Sequence, residues 1–400
     1  MQILSVDQFR EKFYTRWSWW LLLLTFALTF FSPDRGAANK LYRLFVALPA
    51  LLMLSAPIIT GLKEIKSVRW LAVLSLYLLI SIFWSGEIDS FDNHLLRILS
   101  VWGFVLLLYY ISLYRPEMFA RIDLVLLGFG LVWLLLIVAD WDSLWNARLH
   151  ENITSVSRGV FSHHRPVGWM LAVLSLLSLQ RMSRKDSRSL LWSTLTLIFF
   201  IALVFTQARG GLLVFFAGLI AFCFSGQVNV RFRTIIIAIA GLLFTIGVSY
   251  VFYPEVFVRL IERGASGRFI IWQNWYDLWQ GDVVKLIFGH GLGASAENSM
   301  GRHIIPHYHN FYLNTFFYGG MVGIIAFFAW IFSVLRSKAD KLKPYTPWYP
   351  VLFGIMAGFL TDGDKLFNYP GAFTFCFILP AFCIVFANKR PSANEEIHAD

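Results

Sequence analysis

Apolar residues fall along this chain in long uninterrupted blocks, and short polar connections between them carry most of the charge. A bilayer core of about 30 Å needs about 20 helical residues to cross it, fewer where flanking residues snorkel. On that measure the pattern predicts spans near 17–32, 41–60, 70–85, 98–113, 123–140, 166–180, 190–207, 212–225, 235–253, 311–335, 349–361 and 369–388. The expected fold class is all-α, a polytopic integral membrane protein with about 12 transmembrane helices. Nine spans fill 1–253, one long external loop occupies 254–308, three spans fill 309–388, and 389–400 form a polar cytoplasmic tail.

The leader Met1–Arg16, with Arg10, Lys12 and Arg16, suits the n-region of a signal peptide. No small-residue cleavage site follows Trp17–Phe31, and Pro33, Asp34 and Arg35 come next, so a retained first helix is expected. Composition supports the lipid solvent. Hydrophobic residues make up 58% of the 400 and charged residues 14%, too few to cover a soluble globule. The net charge of +10 first suggests nucleic acid, but its placement argues otherwise. With the N-terminus cytoplasmic and sides alternating, 20 of the 34 Lys and Arg residues fall in the short cytoplasmic segments. That is the positive-inside bias, so the charge is topogenic and no nucleic-acid partner is expected. Cys223, Cys376 and Cys383 all lie in apolar runs without metal-ligand spacing and are read as small packing residues.

Loops longer than about 12–15 residues tend to be functional. In 254–308, Glu255–Glu262 suits a short amphipathic helix, Gly264–Gly267 a turn, and Arg268–Trp279 an aromatic helix fitted to the membrane interface. Ile287–Gly293 is a glycine-dense turn. Three features share the external face. Arg209 stands between two apolar runs at the outer lip of the bilayer, followed by Gly210 and Gly211; a snorkelling arginine is the plain alternative. Arg268 opens the aromatic helix after a glycine-flanked turn, where a guanidinium and a helix N-terminus together suit an anion. His290, His303, His307 and His309 cluster within 20 residues. The i, i+2 spacing of His307 and His309 and the lack of a nearby cysteine do not make a familiar metal set, and histidine is the usual general base near neutral pH. Asp362 and Asp364 add two external carboxylates before the last span, and two acids alone specify no metal.

His309-Asn310-Phe311-Tyr312-Leu313, followed by Gly320, resembles the His-Asn-x-x-Leu-x6-Gly signature of bacterial O-antigen ligases. Ser266-Gly267-Arg268-x3-Trp272, Phe288–Gly293 and Arg209-Gly210 are similar to further elements of that superfamily, in the same order. Ala208 departs from it, since relatives often carry serine there. The resemblance implies a GT-C-like glycosyltransferase in the bacterial inner membrane, its active site periplasmic and both termini cytoplasmic. The donor would be O-antigen polysaccharide on undecaprenyl pyrophosphate, the acceptor a sugar hydroxyl of lipid A–core, and no cofactor or metal would be needed. His309 would be the base, and Arg209 and Arg268 would hold the pyrophosphate. His303, His307, Asn310, Asp362 and Asp364 would be further substrate contacts, with either aspartate able to orient the histidine. Within the superfamily the alternative is a polymerase joining repeat units on the same carrier. A transporter or lipid flippase would instead carry ionisable residues along its spans, where only Arg43 is expected.

Overall fold

In the computed structural model the described residues are 6–32, 34–86, 90–139, 164–183, 188–206, 208–224, 272–273, 276, 282–294, 298–300, 303–305, 309–337, 348–363 and 366–387. They form a helical bundle, consistent with a polytopic membrane protein. Helices stand at every predicted span except 235–253, which lies outside the described residues. Four are long and apolar enough to cross a membrane: Lys66–Trp84, Phe91–Tyr114, Ser189–Thr206 and Phe311–Leu335. Shorter apolar helices include Ile122–Leu136, Pro166–Met182, Arg209–Phe224, Trp348–Gly358 and Thr374–Ala387.

The expected single span at 41–60 is broken. Arg35–Leu52 and Ala56–Lys63 meet at an angle of 92°. The chain leaves the helix at Met53 (φ −89, ψ 11) and is extended at Ser55 (φ −132, ψ 166). Pro57 then sits in the first turn of the new helix, where its missing N–H interrupts no bond. Apolar content alone carries no information about such a bend.

Three helices position the site. We label Arg209–Phe224 α1, Phe311–Leu335 α2 and Trp348–Gly358 α3. Close approach of α1 to α3 rests on glycine. A Cβ at Gly218 would meet Pro350 O at 2.9 Å, and a Cβ at Gly358 would meet the Val214 side chain at 2.5 Å. Small residues at i and i+4, such as Gly354 and Gly358, let helices in lipid make backbone contact. α2 is bonded to the end of α3, with Phe311 N–H donating to Phe359 O at 2.9 Å and Tyr312 Oη to Met356 O at 2.7 Å. Phe311, Phe359 and Phe373 stack beneath that junction, Phe311 to Phe359 at 4.2 Å and Phe311 to Phe373 at 5.4 Å.

Of the cysteines, Cys376 and Cys383 are buried, as a packing role requires, whereas Cys223 is exposed on the bundle. The only strands among the described residues are Asn298–Met300 and His303–Ile305, a short antiparallel hairpin pairing Asn298 with Ile305.

Candidate active site

The start of α2 is held by a side chain. Asn310 Oδ1 accepts from Leu313 N–H at 3.1 Å, which caps the helix. Its Nδ2 donates to Leu360 O at 3.2 Å, across to the segment that leaves α3. One turn on, Asn314 Nδ2 donates to Gly363 O at 2.7 Å. Segment 358–363 is thus tied to the first turn of α2 from both asparagines. Asn314 was not predicted from the sequence; a polar side chain one turn beyond Asn310 in an apolar run is the signal that would have found it.

His309 immediately precedes the cap and has φ 50, the one positive φ outside glycine among the described residues. A histidine in the left-handed region costs of order 1 kcal/mol or more, so the surroundings must hold it there. Its Nδ1 is 3.3 Å from Asp362 Oδ1. The same carboxylate oxygen accepts from Gly363 N–H at 3.0 Å. An ionised carboxylate can only accept, so with Asp362 ionised a neutral His309 would carry its proton on Nδ1 and present its lone pair at Nε2. Gly363 has φ 140, and a Cβ there would stand 2.6 Å from Phe311 Cβ. Glycine at 363 is therefore needed for Asp362 to reach His309.

Arg209 opens α1 from the other side of this segment. A Cβ on Gly210 would lie 2.8 Å from Thr361 Oγ1, and one on Gly211 would lie 2.6 Å from Gly168 O. Arg209-Gly210 and the His309–Asp362 pair are therefore brought to one end of the bundle by the same residues, Thr361 and Asp362. Arg268, His307 and Asp364 lie outside the described residues, and His303 is described only as backbone in the short hairpin.

The glycine-dense turn has a separate structural task. Gly320 breaks α2 (φ 59, ψ −158), which removes helical partners from carbonyls one turn earlier. His290 N–H donates to Phe317 O at 2.8 Å and Gly291 N–H to Tyr318 O at 3.0 Å. The single Tyr77 hydroxyl proton is shared between Phe288 O and Gly319 O, at 2.8 and 2.7 Å from Oη. His290 stacks on Phe317 at 4.4 Å, and burial, reinforced by Lys285, pushes its imidazole below the usual range, with Asp282 opposing. The last glycine of the His-Asn motif is thus the socket for Phe288–Gly293.

Among the described residues no group of three or more His, Cys, Asp or Glu side chains is placed to hold a metal ion. Residues 194–328 match the family model described as O-Antigen ligase. The matched stretch includes Arg209, Arg268, His309, Asn310 and Gly320, and ends before Asp362. No curated protein matches the chain.

Proposed function

With the family match supporting assignment to the O-antigen ligases and polymerases, we propose that the chain is the ligase. It transfers O-antigen polysaccharide from undecaprenyl pyrophosphate to a sugar hydroxyl of lipid A–core, at the periplasmic face of the inner membrane. The acceptor oxygen attacks the anomeric carbon, the bond from that carbon to the pyrophosphate oxygen breaks with inversion, and the hydroxyl proton passes to His309 Nε2.

The observation that carries this reading is the contact of His309 Nδ1 with Asp362 Oδ1. It supplies a base whose accepting nitrogen is fixed and whose cationic form is stabilised as it appears. A sugar hydroxyl is a weak acid and needs such help at the moment of attack. Pyrophosphate is a stable anion that leaves without a proton, provided positive charge meets it. Arg209, whose neighbour Gly210 packs against Thr361 beside Asp362, fits that demand, and Arg268 is assigned the second contact by the motif. Guanidinium forks bind phosphate in pairs of hydrogen bonds without a metal. Asn310 has both amide ends engaged within the fold and acts by holding His309 in place. Asp362 is likewise a positioning residue. His303, His307 and Asp364 remain assigned to substrate contact.

Purified protein, lipid-linked polysaccharide and lipid A–core should give complete lipopolysaccharide without nucleotide and in the presence of a chelator. His309→Ala should abolish transfer while the protein stays folded; transfer at the wild-type rate would reject the assignment. Lysine at Arg209 or Arg268 should lose most activity, and full activity would mean that charge alone suffices. A deletion strain separates the ligase from the polymerase. Loss of a ligase leaves long polymer on the lipid carrier, whereas loss of a polymerase leaves core bearing a single repeat.

A further inference from the structure

Away from His309, two arginines share one aromatic ring. The Arg43 guanidinium carbon lies 5.1 Å from the centre of the Tyr369 ring, and that of Arg97 lies 5.8 Å from it. Arg43 Nε donates to Asn39 O within its own turn, and neither arginine has a carboxylate partner among the described residues. Arg97 Nε is shielded from solvent and has no hydrogen-bond partner among them. Two like charges on one ring, one with a dehydrated donor, make an arrangement that an anion would stabilise.

The backbone around it is built to bring these residues together. Arg43 starts a π-helical turn, Arg43–Ala47, and Tyr369 leads into the other one among the described residues, Thr374–Ile378. Such turns add a residue at some cost and recur at functional sites. A Cβ on Gly103 would collide with Ala47 Cα, so the helix carrying Arg97 touches the first π turn backbone to backbone. Phe104 meets Phe375 at 5.7 Å, which fixes the second π turn against that same helix. Phe373, four residues beyond Tyr369, stacks on Phe311 at 5.4 Å, so the arginines stand at the same end of the bundle as His309.

We propose that Arg43, Arg97 and Tyr369 form a second anion seat, distinct from the Arg209 contact, for the phosphate group of a membrane lipid. Guanidinium forks match phosphate oxygens in bidentate fashion. The tyrosine ring keeps both forks in place without neutralising them, as a carboxylate would. The position at the end of the bundle that the sequence assigns to the outer membrane surface favours a headgroup as the source of the phosphate. The seat does not depend on the transfer reaction.

The full chain in nanodiscs tests this, with retained lipid read by native mass spectrometry. Wild-type protein should retain phosphatidic acid in preference to phosphatidylcholine. Arg43→Gln with Arg97→Gln should lower that retention about tenfold or more, the loss expected for charge-assisted hydrogen bonds. Tyr369→Leu should weaken it severalfold with both charges present, and Arg97→Lys should give an intermediate loss. These two variants carry the test if the double variant aggregates. His309→Ala should retain the lipid as wild type does, so transfer and seat can fail separately. Equal retention of both lipids, or unchanged retention in the arginine and tyrosine variants, would overturn the seat. Inorganic phosphate should compete with the lipid. Phosphate binding that is lost in the arginine variants, without lipid retention, would keep the anion seat and reject the lipid as its source.

Discussion

Asp362 Oδ1 stands 3.3 Å from His309 Nδ1 and is held in place by the Gly363 amide at 3.0 Å. Asp362→Asn keeps the size of the side chain and can keep the Gly363 bond, but removes the charge that stabilises a protonated imidazole. If Asp362 positions and polarises a base, kcat should fall roughly 10²- to 10⁴-fold. KM for the lipid-linked donor and the melting temperature should change little. Steady-state transfer assays beside thermal unfolding in detergent distinguish this from a merely structural role, which would lower both stability and activity.

Gly289 and Gly320 face each other so closely that a Cβ on either would collide with the other's backbone nitrogen. Both also have positive φ, 78 and 59. Gly320→Ala therefore faces backbone strain and a clash with Ile287 O together, and no rotamer change relieves contact with main-chain atoms. A loss of about 2 kcal/mol or more is expected. Gly289→Ala should be comparably damaging through Tyr318 O and Gly320 N. Thermal unfolding of the purified variants would check both, and a melting temperature equal to wild type would mean the turn does not dock there in solution.

The helices were legible because lipid leaves long apolar runs few alternatives to the helix. His309 and Gly320 were legible through their motif. The bend at Met53–Ser55 was not, since the residues on either side are equally apolar and the break is local backbone geometry. Nor could the sequence choose between Asp362 and Asp364. The approach of Asp362 to His309 depends on φ 140 at Gly363 and on Asn314, 49 residues away in the chain, and Asp364 lies outside the described residues. Asn310 was read as a possible substrate contact. Its position just before an apolar helix was equally the signal of a capping residue, and the structure engages both ends of its amide. The meeting of Arg43, Arg97 and Tyr369 joins three distant segments, and no periodicity encodes it.

His290 offers a test by pH. Burial first, then Lys285, lowers its pKa below the ordinary 6.5, while Asp282 opposes the shift. The unfolded chain then takes up a proton near pH 6.5 that the folded chain resists. Stability contributed by this site is full above that pH and declines as pH falls below it, until the lowered native value is passed. Between pH 7 and pH 5 the wild-type melting temperature should drop by more than that of His290→Gln. Parallel curves for the two proteins would show that His290 does not titrate differently on folding.

Arg181 and Asp123 form a bidentate pair, Nε to Oδ2 and a terminal nitrogen to Oδ1, both at 2.6 Å. The Asp123 side chain is 2% exposed and that of Arg181 13%, so each charge is shielded from water and compensated mainly by the other. Removing one partner leaves an uncompensated buried charge, which costs about 3–5 kcal/mol in such sites. Replacing both with apolar residues of similar volume is often neutral. Asp123→Leu and Arg181→Met should each lower the unfolding midpoint strongly, and the double variant should recover most of the loss. Asp123 lies at the start of Ile122–Ala139 and Arg181 in the last turn of His164–Ser183. Trp169, nearer the other end of that second helix, meets Phe359 with ring centres 5.7 Å apart, on the segment that carries Asp362. The pair thus lies three turns of helix from the candidate site, and the double variant should also keep its transfer rate. Singles as stable as wild type would show that water reaches the pair, and a stable double variant without activity would tie this end of the bundle to the reaction.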